Sequence, residues 1–319
     1  MTSRRPGSNS TWPCPRASTS SIRLKSTPCM PIPERWEQPE EIIGRWLQQG
    51  KRRNKVVIAG KVAGPAPRNN PAGFGRTLDR ANIEAALDAS LRRLRTDYID
   101  IYQVHWPDRD ANRFGQLNYY HAPEKDGAPV SETLEALDHL VQSGKVRHIG
   151  ISNETPWGLA QYLNLSENRG YARVAVLQNP YNLLNRTLEI GLAEFALRED
   201  VSLLAYSPTA FGVLSGKYLH RSRPRNARLT LYPGYKRYTG KQADLAVERY
   251  VELARGHGME PLQMALAYVH SRPFVASTII GATSLEQLRS NIESIRVKLP
   301  REMLRHIEKI HVEQPNPCP

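Results

Sequence analysis

Five successive apolar runs in this chain end on residues able to exchange protons or hydrogen bonds. They are Lys61, then His105, then Ser152 and Asn153, then Gln178 and Asn179, then Tyr206 and Ser207; a later run ends in Gly281, Ala282, Thr283 and Ser284. An ammonium, an imidazole and a phenol, with amides and hydroxyls between them, are the groups of general acid–base chemistry. Each also has a plainer reading. Lys61 could be a solvated loop lysine, and His105, which closes a run before Trp106-Pro107, a buried histidine with its ring satisfied. Ser152-Asn153 could cap the next helix, and Tyr206 could be core packing with its hydroxyl paired. The repetition at run after run favours a shared site.

The runs are the strands of alternating βα units, spaced at intervals of roughly thirty residues. Lys55 to Ala59 is apolar and ends at Gly60-Lys61, and Leu78 to Leu94 then sets Ile83, Ala86, Leu87, Leu91 and Leu94 on one helical face. Strands are predicted at Ile99 to His105, Val146 to Ser152, Val174 to Gln178, Val201 to Tyr206 and Ala276 to Ile280. Helices are predicted at Val130 to Ser143, closed by Gly144, and at Trp157 to Leu165, Leu188 to Arg198, Ala243 to Arg255, Leu262 to His270, Leu285 to Ser294 and Arg301 to His311. A polar stretch from Phe211 to about Thr239 is longer than an ordinary connection and has the character of a functional lid. In a parallel αβ barrel the active site forms at the C-terminal ends of the strands, where these polar residues stand.

Length and composition narrow the class. The 319 residues suit one large α/β domain. The formal charge of +13 is spread along the chain without an aromatic-rich RNA motif, so no nucleic-acid partner is expected, and a basic barrel mouth favours a phosphorylated cofactor. Cys14, Cys29 and Cys318 lie in the two tails at no metal-ligand spacing. No stretch approaches the ~20 apolar residues of a membrane span, and the N-terminus has no signal-peptide core, so a cytoplasmic protein with no membrane partner is expected.

Several segments in combination resemble consecutive motifs of the aldo-keto reductase family: IDIYQVHWPD from Ile99, GKVRHIGISNE from Gly144, LQNPYNLLNR from Leu177, LLAYSPTAFGVLSGKY from Leu203 and IIGATSLEQLRSNI from Ile279. RFGQLNYY after His105 and the PFVAST run bring the match nearest to the Tas-type branch, and the similarity covers about Glu40 to His311. The resemblance implies a (β/α)8 TIM barrel that transfers hydride between NADP(H) and a small aldehyde or ketone. It implies that Lys61 tunes a catalytic phenol, and that His105 orients the carbonyl oxygen. Ser152, Asn153 and Gln178 would bond the nicotinamide carboxamide, and Tyr206 would stack on its ring. Ser207, Leu214, Gly216 and Lys217 would line the pyrophosphate with Arg228 as a clamp. Gly281, Thr283, Ser284, Gln287 and Asn291 would hold the adenosine end at a helix N-terminus.

The resemblance stops at the N-terminus. The family carries its tyrosine and aspartate in Asp-Thr-Ala-x-x-Tyr before the helix that begins here near Glu40, yet no tyrosine precedes Tyr98 and no aspartate precedes Asp79. Met1 to about Pro39 is rich in Ser, Pro, Arg and Thr with no structural period. It reads as a disordered or aberrant segment ahead of a barrel domain at 40–319, arising in part from a shifted reading frame or wrong start. The (β/α)8 barrel would then have missing or disordered N-terminal strands and open sheet edges. A catalytically impaired NADP(H)-binding module, or a defective product, is the alternative to an active reductase. The physiological substrate and the oligomeric state are not legible.

Overall fold

Strands covered on both faces read as largely apolar runs rather than alternations, and the middle of the sheet is made of such runs. The computed structural model describes residues 21–23, 37–65, 77–123 and 127–319. Its strands are β1 (Ser21–Arg23), β2 (Val57–Val62), β3 (Ile99–Val104), β4 (Val146–Ser152), β5 (Val174–Gln178), β6 (Ser202–Ala205) and β7 (Val275–Thr278). All pair in parallel, each with its neighbour in sequence, in the order β1-β2-β3-β4-β5-β6-β7.

The helices that return the chain between strands are α1 (Gln38–Gln49), α2 (Arg80–Leu94), α3 (Val130–Gln142), α4 (Pro156–Arg169) and α5 (Leu192–Arg198). They are followed by the single turn α6 (Arg228–Leu231), then α7 (Lys241–Gly256), α8 (Pro261–His270), α9 (Leu285–Glu293) and α10 (Arg301–Glu313). Two separate cores show that the sheet is curled. Outward residues such as Ile58, Tyr102, Ile149, Leu177 and Leu203 join the large cluster shared with the helices, while Ala59, Ile101, Val176 and Leu204 form a small inner one with Val57 and Ile279. The architecture is therefore a (β/α)8 barrel, incomplete at its N-terminus.

Buried polar contacts tie the lower part of the barrel together. Asp100, on β3, accepts from the Ile58 amide at 2.8 Å and pairs with Arg53 at 2.8 Å and Arg147 at 3.0 Å, so one carboxylate fastens β2, β3 and β4. Helix α1 lies so close to α2 that a Cβ on Gly44 would stand 2.3 Å from the Arg93 carbonyl oxygen. Arg93 in turn meets the buried Glu40 carboxylate at 2.7 Å.

Most predicted elements appear within a few residues of their expected bounds. Three differ. The segment read as lacking structure contains strand β1, whose backbone pairs Ser21 with Val57 and Arg23 with Ala59, and the start of α1 at Gln38; the rest of the aberrant stretch through Trp36, with Cys14 and Cys29, lies outside the described residues. The expected helix from Leu188 breaks at Gly191 into a 3-10 turn, Thr187–Ile190, and α5. The long polar stretch holds 3-10 turns at Ala210–Ser215 and Leu219–Arg221 besides α6. Among the described residues β1 and β7 are the two edges of the sheet, and β7 is half-exposed along its whole length. Helix α9 beside it buries none of its residues and leaves Leu285 and Ile292 in solvent.

Candidate functional site

Strand register sets which residues share the barrel interior. Side chains alternate along a strand, so those in phase with the inner cluster point inward: Lys61 on β2, Gln103 on β3 and His105 just past it, Gly150 and Ser152 on β4, Gln178 on β5, and Tyr206 just past β6. Lys61 stands level with Gln103, and the His105 amide donates to the Val62 carbonyl at 2.8 Å, one step nearer the mouth. Lys61 is only 8% exposed and His105 6%, which rules out a solvated loop lysine; Lys61 lies inside β2 rather than after it. Gly150 leaves room for its neighbours, because a Cβ there would lie 2.6 Å from Val176 and 3.1 Å from the Gln103 stem.

A hydrogen-bonded chain crosses the mouth. The Tyr206 hydroxyl donates to Asn153 Oδ1 at 2.7 Å, and Asn153 Nδ2 donates to the His105 carbonyl at 2.8 Å and to Ser152 Oγ at 3.2 Å. Ser152 Oγ donates to the Gln178 carbonyl at 2.7 Å, as does the Asn153 amide at 3.1 Å. Asn153 reaches both partners from a left-handed backbone, φ +54°, a conformation asparagine tolerates better than most residues. The capping alternative for Ser152-Asn153 does not hold, since α4 is capped by Thr155, whose hydroxyl accepts from the Gly158 amide. The Trp106 ring lies 4.5 Å from that of His105, and Trp106 is fixed by its indole N–H donating to the Pro65 carbonyl at 2.9 Å.

The remaining candidates fall into two groups around this centre. Ser207, also left-handed at φ +55°, has its carbonyl bound by Asn182 Nδ2 at 3.0 Å. The Leu214 side chain is buried in the core, and the amides of Leu214 and Gly216 donate to Thr209 and Val213, so neither amide is free for a pyrophosphate in this arrangement. Lys217 lies close over Gly212, where an added Cβ would stand 3.1 Å from its Nζ; burial pulls the pKa of this lysine below its usual value. The Arg228 guanidinium spans the rings of Phe211 at 4.4 Å and Tyr235 at 5.0 Å.

The other group is self-contained and exposed. Ser284 Oγ caps α9 by accepting from the Gln287 amide at 3.2 Å, and Gln287 Oε1 accepts from Thr283 N at 3.0 Å. Asn291 Nδ2 donates to the Gly281 carbonyl at 3.2 Å. The strand leading there is joined to the centre, because the Ile279 amide donates to the Ala205 carbonyl at 2.8 Å.

Two residues absent from the sequence-based set belong to this geometry. Gln103 is fully buried with neither amide atom partnered, one layer below His105; its phase two residues before His105 was the available signal. Arg237 donates to the Tyr206 hydroxyl at 3.3 Å from within the long loop, where no period announces it. A nicotinamide cofactor fits the centre on one independent observation: Gln178 Oε1 is buried at the mouth without a donor, as an acceptor awaiting an amide N–H would be. Among the described residues no cluster suits a metal ion, and no helix is long and apolar enough to cross a membrane.

Comparison with known proteins gives a consistent picture. The Aldo/keto reductase family matches residues 35–312. Protein tas of Escherichia coli is 47% identical over 294 residues, 92% of this chain and 85% of that protein. An aldo-keto reductase of Babesia bovis is 41% identical over 253 residues, covering 75% of this chain and 89% of its own length. The versiconal hemiacetal acetate reductase of Aspergillus parasiticus is 30% identical over 289 residues, 86% and 79% of the respective chains.

Proposed function

Because the chain belongs to the aldo/keto reductase family, and is thus an oxidoreductase by descent, we propose that it transfers hydride between NADP(H) and a small aldehyde or ketone. The observation that carries this is the Tyr206–Asn153–Ser152–Gln178 chain beside the inward Lys61 and His105. In this reading the cofactor supplies the hydride. Gln178 Oε1 and the Asn153 and Ser152 side chains hold the carboxamide, and the Tyr206 ring, tethered at its hydroxyl, supports one face of the nicotinamide. Lys217 and Arg228 neutralise phosphate charge, and the 281–291 cluster at the start of α9 receives the adenosine end. His105, held by Trp106, directs the carbonyl oxygen to the position where negative charge develops. Residues 40–319 carry the barrel domain apart from β1 and the first residues of α1, and cytoplasmic placement suits a reductase fed by a soluble cofactor.

A second reading rests on one sequence fact. With no tyrosine before Tyr98 and no aspartate before Asp79, Lys61 lacks the phenol it would tune, so the chain as written is an impaired NADP(H)-binding module or a defective product. The deciding experiment follows NADPH fluorescence and then NADPH oxidation with a reactive aldehyde. It compares this chain with a version whose first 39 residues are restored from the other reading frames of the gene. Binding by both with turnover only by the restored chain means that the N-terminus is aberrant. Equal turnover by both means that another group donates the proton and the missing phenol is irrelevant. No NADPH binding by either removes the reductase reading, and no barrel-like strand in any frame removes the frame-shift account.

A further inference from the structure

Among the described residues no carboxylate stands in ion-pair contact with Arg237, whose neighbours are tyrosines and a thiol. Arg53, Arg93, Arg109 and Arg186, themselves largely buried, each lie within 3.0 Å of a carboxylate oxygen. Arg237 donates to the Tyr206 hydroxyl at 3.3 Å, lies over the Tyr238 ring at 5.5 Å from its centroid and has the buried Cys318 thiol nearby, and its Nε is buried with no acceptor. A guanidinium does not shed its proton at physiological pH, and a half-buried one without an anion is costly. Such an arrangement persists where a ligand completes it.

Its position says which ligand. The Arg237 stem passes 3.9 Å from where a Cβ of Gly115 would be, so the side chain spans from the loop after β3 to the phenol of Tyr206. From Tyr206 the chain of hydrogen bonds runs through Asn153 to the His105 carbonyl in 2.7 Å and 2.8 Å steps. The guanidinium therefore shares the mouth with the group that would orient the reacting carbonyl, rather than the Gly281 end assigned to adenosine.

We propose that Arg237 binds the carboxylate of the substrate, so that the protein selects carbonyl compounds bearing an acid group over neutral ones. This rests on the reductase reading for the carbonyl, though not for the anion site itself. The guanidinium fork accepts a carboxylate through two parallel N–H···O bonds, with Nε as one of the two donors.

The test uses unreactive probes, so that it does not depend on turnover. Benzoate and benzamide are titrated by calorimetry into the full chain, with and without NADPH. Benzoate is expected to bind about tenfold or more tightly than benzamide, the scale of a charge-assisted hydrogen bond. In R237M that preference disappears, while R237K, which keeps the charge and loses the fork, retains part of it. Thermal melting of both variants checks folding. Equal affinity for the two probes in the unaltered chain overturns the proposal, as does a folded R237M that still prefers benzoate. An R237M that loses NADPH but keeps the preference assigns the arginine to the cofactor and overturns it too. Benzoate discrimination without any NADPH binding leaves the anion site standing and removes the reductase reading instead.

Discussion

At the scale of single residues, Gln178 separates the demands of the apoprotein from those of its ligand. Its buried Oε1 has no donor, and an unmet buried acceptor costs about 1–3 kcal/mol. Gln178→Met is thus expected to raise the midpoint of urea unfolding slightly while weakening NADPH about tenfold. A variant that loses stability along with NADPH affinity would mean that the amide is structural. The sequence exposed this residue, and Lys61, His105, Asn153 and Tyr206 with it, because strand ends mark themselves by a change from apolar to polar. It did not expose Arg237 or Gln103. A loop arginine carries no period, and a glutamine inside an apolar strand looks like an interruption until the strand's inward phase is known.

At the scale of elements, Asp100 is the fastening of the sheet. Asp100→Ala would leave the Ile58 amide without its acceptor and the Arg53 guanidinium, 18% exposed, without its anion. Losses of this kind come to about 3 kcal/mol, to be read from chemical denaturation; a change below about 0.5 kcal/mol, the size of an ordinary surface substitution, would show that the three strands hold without it. The strands and helices were legible here because parallel strands buried on both faces make short apolar runs and the helices between them keep their 3.6-residue period. What escaped was local. β1 is three residues long in a polar context, the turns of the 211–239 loop rest on left-handed residues such as Phe211 and His220, and the break at Gly191 follows no proline.

At the scale of the whole molecule, three histidines give the protein a defined acid limit. His148, His270 and His311 have pKa values pulled below the usual 6.5, in each case chiefly by burial. Below that value the unfolded chain takes up protons that the folded one refuses, so stability falls as the pH drops through about 6.5 and levels off only under the folded values. Melting temperature should be nearly flat just above pH 7 and decline between pH 6.5 and 5; a flat profile down to pH 5 would refute this. A last consequence comes from the strand order. Among the described residues each strand pairs only with its neighbours in sequence, so the sheet can be laid down in the direction of synthesis while the ribosome is still at work. Among the described residues each strand from β2 to β6 needs no strand beyond its immediate neighbours, and β1 is bonded to β2 alone. Chains stalled with α8 already outside the ribosome should protect β2–β6 from protease, and protection appearing only after release would exclude growth strand by strand. A barrel assembled this way tolerates a poor beginning better than one whose first strand must wait for its last.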